Sequence, residues 1–410
     1  MKKTWKGKQT TRRQFLRGAL AAAAAPWVIP ASALGRDGKP APSNRLVVGC
    51  IGIGGRGNSD MGGFLGFSEV QVVAVCDVWK NKREAARAQV NRHYGSEGCT
   101  AHDDFREITA RPDIDAVMIA TPDHWHAAIS IDAMRNGKDV FCEKPETLTV
   151  REGRAMVEAA RRYGRVFSGG SQRVWGDYNW FHRMVRGGAI GKVQEVWVNV
   201  GGPSKPCTLP EQPVPEGLDW DLWLGPAPWA TFNAARLGFR AWRDYSGGGM
   251  TDWGAHGFGG ALFACELHET GPVEIIPPDG KDNPLLTYRY ANGIRIHHGG
   301  GFGGILSFKG TEGQIASADA KKRAPPALAI PNYKGTGGLI GDFLHCVRTR
   351  ELPFRNIERA HRTVTVCHLG NLAYWLKRPI KWDPVKEEIV GDEEASRWLS
   401  RPKRAPWHLV

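Results

Sequence analysis

The stretch from Leu46 to Asp77 constrains the fold more than any other part of the chain. Leu46-Val47-Val48-Gly49-Cys50-Ile51 is a continuous apolar run, the pattern of a parallel strand buried on both faces. Gly52-Ile53-Gly54-Gly55-Arg56-Gly57 follows at once, and a second apolar run from Val70 to Cys76 ends at Asp77. A glycine turn between strand and helix lets backbone N–H groups approach a pyrophosphate, and an acid at the end of the next strand meets a ribose diol. Asp77 stands 20 positions after Gly57, the spacing of that fingerprint. Glycines alone would not carry this, because Gly299-Gly300-Gly301-Phe302-Gly303-Gly304 also matches. That second run lies between Ile294-Arg295-Ile296-His297, which alternates, and Ile305-Leu306-Ser307-Phe308, and reads as a connection in an antiparallel sheet. The first match predicts a dinucleotide site at Gly52, Gly54, Gly55, Arg56, Gly57 and Asp77. A carboxylate at Asp77 repels a 2′-phosphate and favours NAD, although Lys80, Lys82 and Arg83 keep NADP open.

Strand and helix continue to alternate. A helix is predicted over Asn81 to Tyr94, then a strand over Ala116 to Ala120 closed by Thr121-Pro122-Asp123-His124-Trp125-His126. A helix from Ala127 to Asn136 leads to the strand Asp139 to Cys142, which delivers Glu143-Lys144-Pro145. Ligands bind at the carboxyl ends of such strands, so Thr121, Pro122, His126, Glu143 and Lys144 join the expected cofactor set. His124 and His126 lack a matching third ligand, and no metal is expected. A helix from Arg151 to Tyr163 and a strand near Val166-Phe167-Ser168 complete the pattern, which stops near Trp175. The expected organisation is a leader over 1–33, a linker over 34–44, a Rossmann domain over 45–174, a substrate-binding α/β domain over 175–380 and a tail over 381–410. Residues 392–410, with Trp398 and Trp407, are expected to pack on a neighbouring subunit, and helices over Gly341 to Arg348 and Ile357 to Leu376 to close the second domain.

The charge has a separate explanation. Lys+Arg 55 against Asp+Glu 42 gives +13, which invites a nucleic-acid reading. Seven of those cations, from Lys2 to Arg17, precede residue 34 in a stretch without Asp or Glu, leaving 48 against 42. Thr11-Arg12-Arg13-Gln14-Phe15-Leu16, an Ala-rich run to Ala25 and Ala31-Ser32-Ala33 form the basic, apolar and cleavage regions of a twin-arginine signal. Export to the periplasm is expected, with no stable membrane span, since the apolar run is short and meets Pro26. The rest shows no basic stripe interleaved with aromatics, and nucleic acid is not an expected partner. With 41% hydrophobic and 24% charged residues the chain is a globular protein, not a disordered one. Cys50, Cys76 and Cys142 fall in apolar runs without a C-x-x-C pair and read as small buried residues.

Three motifs in order carry a resemblance: Gly52 to Gly57, Glu143-Lys144-Pro145, and Gly248-Gly249-Met250-Thr251-Asp252-Trp253-Gly254-Ala255-His256. Together they are similar to the Gfo/Idh/MocA family of nicotinamide-dependent oxidoreductases over residues 45 to 380. Trp220 to Pro226 and Trp242-Arg243-Asp244-Tyr245-Ser246 resemble an exported subgroup. The resemblance implies a Rossmann domain, a second α/β domain with a mostly antiparallel open sheet, an active site between them and homo-oligomers built through that sheet. It also makes Lys144, Asp252 and His256 the expected catalytic residues. On spacing alone, Asp252 reads more plainly as a helix cap and His256 as a core residue. If a helix begins near Thr251, however, the two meet at i and i+4, and the carboxylate raises the basicity of the imidazole. His256 would then remove a hydroxyl proton, while Lys144 places charge where an alcohol becomes alkoxide. Arg243, Tyr245 and Gln172 are expected substrate contacts, and the tryptophans at 220, 223, 229, 242 and 253 suit a carbohydrate.

The expected activity is hydride transfer from a sugar or polyol hydroxyl to tightly bound NAD. Two alternatives stand beside it. One is glycoside cleavage through transient oxidation and elimination, with the cofactor recycled internally; the other is a non-catalytic carbohydrate-binding relative.

Overall fold

The computed structural model describes residues 40–41 and 44–409. The expected leader over 1–33 lies outside the described residues, as does most of the linker. Two compact units divide between Arg45 and Leu46, and the second holds both sheets.

The first sheet has six strands: β1 (Leu46–Ile51), β2 (Val70–Cys76), β3 (Thr100–His102), β4 (Ala116–Ile119), β5 (Asp139–Cys142) and β6 (Phe167–Gly169). Their spatial order is β3-β2-β1-β4-β5-β6 and every pair is parallel. The order reverses between β1 and β4, which opens a crevice at their carboxyl ends. Besides one short turn of helix after β3, the longer helices that follow the strands are α1 (Gly55–Leu65), α2 (Lys80–Tyr94), α3 (Asp123–Arg135) and α4 (Val150–Tyr163). α3 starts four residues before the predicted Ala127. Pro122 sits at its cap in extended conformation, and Asp123 supplies an acid in the first turn, which is favourable at a helix start. α4 is fixed by a capping box: Thr149 accepts from the Glu152 N–H, and the Glu152 carboxylate accepts from the Thr149 N–H.

The second sheet has eight strands: β7 (Val193–Val198), β8 (Glu274–Ile276), β9 (Leu286–Arg289), β10 (Arg295–His298), β11 (Leu306–Gly310), β12 (Gln314–Ala316), β13 (Ile380–Asp383) and β14 (Glu388–Ile389). The order is β12-β11-β7-β10-β9-β8-β13-β14, antiparallel except where β7 meets β10. The glycine run at 299–304 joins β10 to β11, which are separated by β7, so it crosses the end of that strand. Gly299, Gly300, Gly301 and Gly304 all have positive φ.

Further helices link the two sheets: α5 (Gln172–Trp175), α6 (Trp220–Leu224), α7 (Gly249–Asp252), α8 (Gly254–Ala264), α9 (Gly338–Thr349) and α10 (Ile357–Leu376). α9 does not close the second domain as expected. Its Phe343 is fully buried against Phe64 and Phe141, at ring distances of 6.2 and 5.9 Å, and so covers the first sheet. Burying one such ring contributes about 1.5–3 kcal/mol. The residues expected to form a tail are also integral to this chain. β13 and β14 extend the second sheet, and Trp407 packs on Trp125 at 4.7 Å. The three cysteines singled out, Cys50, Cys76 and Cys142, are free and buried in strands.

Candidate active site

At the crevice, Gly52 ends β1 with φ +83°. A Cβ there would lie 2.7 Å from the Thr121 backbone nitrogen, so only glycine lets the ends of β1 and β4 meet. Gly57 is tighter still: its Cβ would stand 1.8 Å from the Gly52 carbonyl oxygen. Gly54 and Gly55 differ, having nothing within 4 Å of their Cβ positions while lining a cleft of about 210 Å³. α1 begins at Gly55 without a side-chain cap. Its first N–H groups therefore need partners, and the positive end of the helix suits an anion. These residues fit a dinucleotide. Asp77 braces the turn by accepting from the Ile53 N–H at 2.8 Å and the Trp79 N–H at 2.9 Å, with lone pairs left for a diol. Burial holds its carboxyl above the ordinary value.

Arg56, in the cleft lining, bridges Asp60 at 2.5 Å and Glu143 at 3.1 Å. Burial, with the nearby Glu143, pushes Asp60 up to about 7. Gln172, expected to touch substrate, instead donates to Glu143 at 2.7 Å and holds it in place. His126 Nε2 and Nδ1 lie 2.8 Å from the Thr121 and Pro145 carbonyl oxygens, and the one N–H of the neutral ring donates to one of them, between the ends of β4 and β5. Burial pushes His126 down to about 4. Thr121, Pro122, His126, Glu143 and Lys144 all line the cleft.

Lys144 Nζ lies 2.5 Å from Asp252 Oδ1, and Arg240 Nε reaches the same oxygen at 3.0 Å. Burial would raise Asp252, but Lys144 and Arg240 hold it below the ordinary range. The expected Asp252–His256 pair is absent. The helix is interrupted at Trp253, between α7 and α8, and Asp252 is already committed to two cations. His256 Nδ1 lies 2.8 Å from Ser171 Oγ, which donates to the Ala255 carbonyl and so accepts from the ring. Instead of becoming more basic, His256 is pushed down to about 3, first by burial and then by Lys144 and Arg173.

Arg243 and Tyr245 are not brought to this cleft. Tyr245 is fully buried, with its hydroxyl 3.1 Å from Arg236. Arg243 lies over Trp375 at 4.4 Å and near Trp398 at 5.5 Å. Of the tryptophans, Trp220 and Trp223 stack at 4.7 Å in the core, while Trp229 and Trp253 are exposed. Arg240 and Asp123 are cleft residues that the sequence reading did not select, and a strap from the second half joins them. Lys80 N–H donates to the Gly217 carbonyl and Asp219 N–H to the Val78 carbonyl, and His124 and Trp125 bond the Trp223 carbonyl. Trp223, Leu237, Phe239 and Arg240 from this segment thus wall the cleft opposite the glycine turn. Among the described residues no cluster of three or more metal-ligating side chains occurs, and no helix is long and apolar enough to cross a membrane.

Residues 46–171 match the family described as an oxidoreductase family with an NAD-binding Rossmann fold, and residues 197–409 match its C-terminal alpha/beta domain. Among named relatives, a glycosyl hydrolase family 109 protein of Shewanella sp. (strain MR-4) is 36% identical over 169 residues. An alpha-N-acetylgalactosaminidase of Shewanella oneidensis is 34% identical over the same length. Each alignment covers 37% of this chain and 37% of the relative, so the chain spans well under half the length of the curated relatives it matches. Among solved structures, aldose-aldose oxidoreductase from Caulobacter crescentus superposes with TM-score 0.57 at 19% identity, over 82% of this chain and 99% of that one. Scyllo-inositol dehydrogenase from Lactobacillus casei, with bound NAD(H) and scyllo-inositol, gives 0.58 at 14% identity over the same shares. At these identities the likeness is one of fold.

Proposed function

The chain belongs to the Gfo/Idh/MocA family of NAD-binding oxidoreductases, and from that premise we propose that it oxidises a hydroxyl of a sugar or polyol at a resident NAD. The observation that carries this reading is the Lys144–Asp252–Arg240 cluster beside the glycine turn. Gly54 and Gly55 would hold the pyrophosphate and Asp77 the ribose. The nicotinamide, when bound, supplies hydride acceptance from carbon. Lys144 donates to the substrate oxygen, and two cations around one carboxylate leave a net positive charge where that oxygen gains electron density. Asp252 holds the ammonium in place. The strap supports retention of the cofactor, since two backbone hydrogen bonds fasten it to Val78–Lys80, directly after Asp77.

A second reading has its own support. Relatives named glycosyl hydrolase family 109 and alpha-N-acetylgalactosaminidase favour a reaction in which oxidation, elimination, water addition and reduction sum to cleavage of a glycoside. Both readings agree with a retained NAD. The basic, Ala-rich leader supports export by the twin-arginine route, which carries folded proteins with their cofactor loaded. Phe302, exposed in the glycine connection after β10 and packed edge-on to Trp197, supports pairing of two copies through the second sheet.

The test is a panel of sugars, polyols and N-acetylgalactosaminides, followed by NADH absorbance and by mass spectrometry of products. Ketone with NADH selects oxidation; released aglycone without net NADH selects cleavage. No turnover with either class would overturn both. Protein that purifies without NAD and turns over only when NAD is added would sink retention.

A further inference from the structure

One exposed aromatic ring stands beside the charged wall. Trp253 directly follows Asp252, and the carbonyl oxygen of the peptide that joins them is 3.3 Å from Lys144 Nζ. Its ring meets the His256 imidazole edge-on, with centroids 5.9 Å apart. Nδ1 of that imidazole is engaged with Ser171, and no hydrogen bond among the described residues engages its Nε2. Arg173 lays its guanidinium over the Trp253 ring at 5.0 Å and is itself paired with Asp177 at 2.7 Å. Trp253 nevertheless remains 40% exposed, a large apolar side chain in water next to Lys144 and His256.

The other tryptophans of this half have other surroundings. Trp220 and Trp223 stack on each other at 4.7 Å, and Trp242 donates to the Ala235 carbonyl at 2.8 Å. Trp229 is exposed, but its neighbours Ala227 and Pro228 line a different cavity. Apolar area left in water favours a ligand that covers it. A saturated six-membered sugar ring has the matching shape: equatorial hydroxyls point outward around its rim, and axial C–H bonds form an apolar face. Those hydrogens carry partial positive charge and meet the negative face of an indole. An open-chain polyol presents such a face only after its rotors are fixed, which costs entropy on binding. We infer that Trp253 is the platform on which a ring-form sugar or cyclitol lies while one of its hydroxyls reaches Lys144, so that the site takes rings in preference to open-chain polyols. Arg173 and its partner Asp177 brace the platform. The inference rests on the hydroxyl-oxidation reading and narrows its substrate class.

The experiment compares the NAD-loaded protein with Trp253→Ala and Trp253→Phe. Scyllo-inositol, methyl α-glucopyranoside and methyl α-galactopyranoside serve as ring probes, and sorbitol as the open-chain probe. For the ring probe that gives the largest NADH signal, KM rises about tenfold in Trp253→Ala while kcat stays within about twofold. Trp253→Phe, which keeps an aromatic face, returns KM to within about threefold of the wild type. The tenfold rise equals about 1.4 kcal/mol, the worth of about two buried CH2 groups. An unchanged KM, or a loss carried by kcat alone, overturns the inference. Binding apart from turnover is read from tryptophan fluorescence, as the component lost in Trp253→Phe. Ring probes quench that component, and sorbitol at the same concentration leaves it unchanged. Quenching by sorbitol as strong as by the rings, or by no ring probe, overturns the inference. Failure of the oxidation reading shows differently, as the absence of NADH from every probe while the rings still quench. Melting temperature and NAD content stay at wild-type levels in both variants, which separates a lost platform from a damaged fold. If Trp253→Ala does not fold, the quenching difference between wild type and Trp253→Phe decides alone.

Discussion

The two walls of the cleft are made differently. The cofactor wall is mostly backbone: Gly52 and Gly57 let chain segments meet, and Gly54 and Gly55 leave room for a ligand. The facing wall is charged side chains, with Lys144 after β5, Asp252 at the end of α7, Arg240 in a short turn and Asp123 at the start of α3. A wall of missing side chains leaves a local signature in the sequence. A wall assembled from four distant segments leaves one only where each segment is read together with the fold.

The sharpest break between the walls is expected from Lys144→Ala. Removing a preorganised donor at a developing oxyanion lowers the rate about 10²–10³-fold, while NAD content of the purified protein stays at the wild-type level. Loss of NAD together with activity would show that Lys144 serves both walls, and the comparison would fail. Gly57→Ala is the opposite case. Its methyl group would stand 1.8 Å from the Gly52 carbonyl oxygen, so the turn must shift. Overpacking of that kind costs about 1–3 kcal/mol, and NAD content measured after release by acid should fall about tenfold or more. Retained NAD with normal activity would mean that the turn does not hold the cofactor.

The same difference explains what could be read in advance. Buried parallel strands, glycine turn and Asp77 follow from short-range pattern, and the structure brings them together as expected. The pairing of Asp252 with His256 did not follow. The i,i+4 rule assumes one unbroken helix, whereas the helical hydrogen bonding is interrupted at Trp253 and a lysine 108 residues earlier takes the carboxylate. Arg240 was hidden because it sits in the 3-10 turn Phe239–Ala241, too short to show periodicity, and because its partner Asp252 is identifiable only in three dimensions. Arg243 drew notice instead because Trp242 and Tyr245 flank it, yet aromatic neighbours in sequence indicated packing. The final segment reads as a tail because β13 and β14 are short and β13, on which β14 folds back, finds its other partner, β8, about a hundred residues upstream.

Arg240→Ala should produce a middle-sized effect, about tenfold in kcat/KM. It removes one of two cations on Asp252, while Lys144 remains; its 51% exposed side chain is screened by solvent. A fall as large as that of Lys144→Ala would make the two cations equal partners at the substrate oxygen.

The smallest effects test where the charged wall ends. Tyr245→Phe removes the 3.1 Å bond to Arg236, whose buried Nε already lacks a partner. Losing a buried hydrogen bond to a charged group costs about 1.5–3 kcal/mol, so the melting temperature should fall by several degrees. Because Tyr245 packs on Trp223 at 4.9 Å and is fully buried, kcat/KM for the panel's best substrate should remain within about twofold. Arg243→Met keeps an unbranched chain between Trp375 and Trp398 and loses a cation–π contact of about 0.5–1 kcal/mol. Its effect should again appear in melting and not in KM. A tenfold rise in KM with an unchanged melting temperature, in either variant, would extend the substrate wall past Arg240 into the aromatic core and remove the division between packing and binding on which the comparison rests.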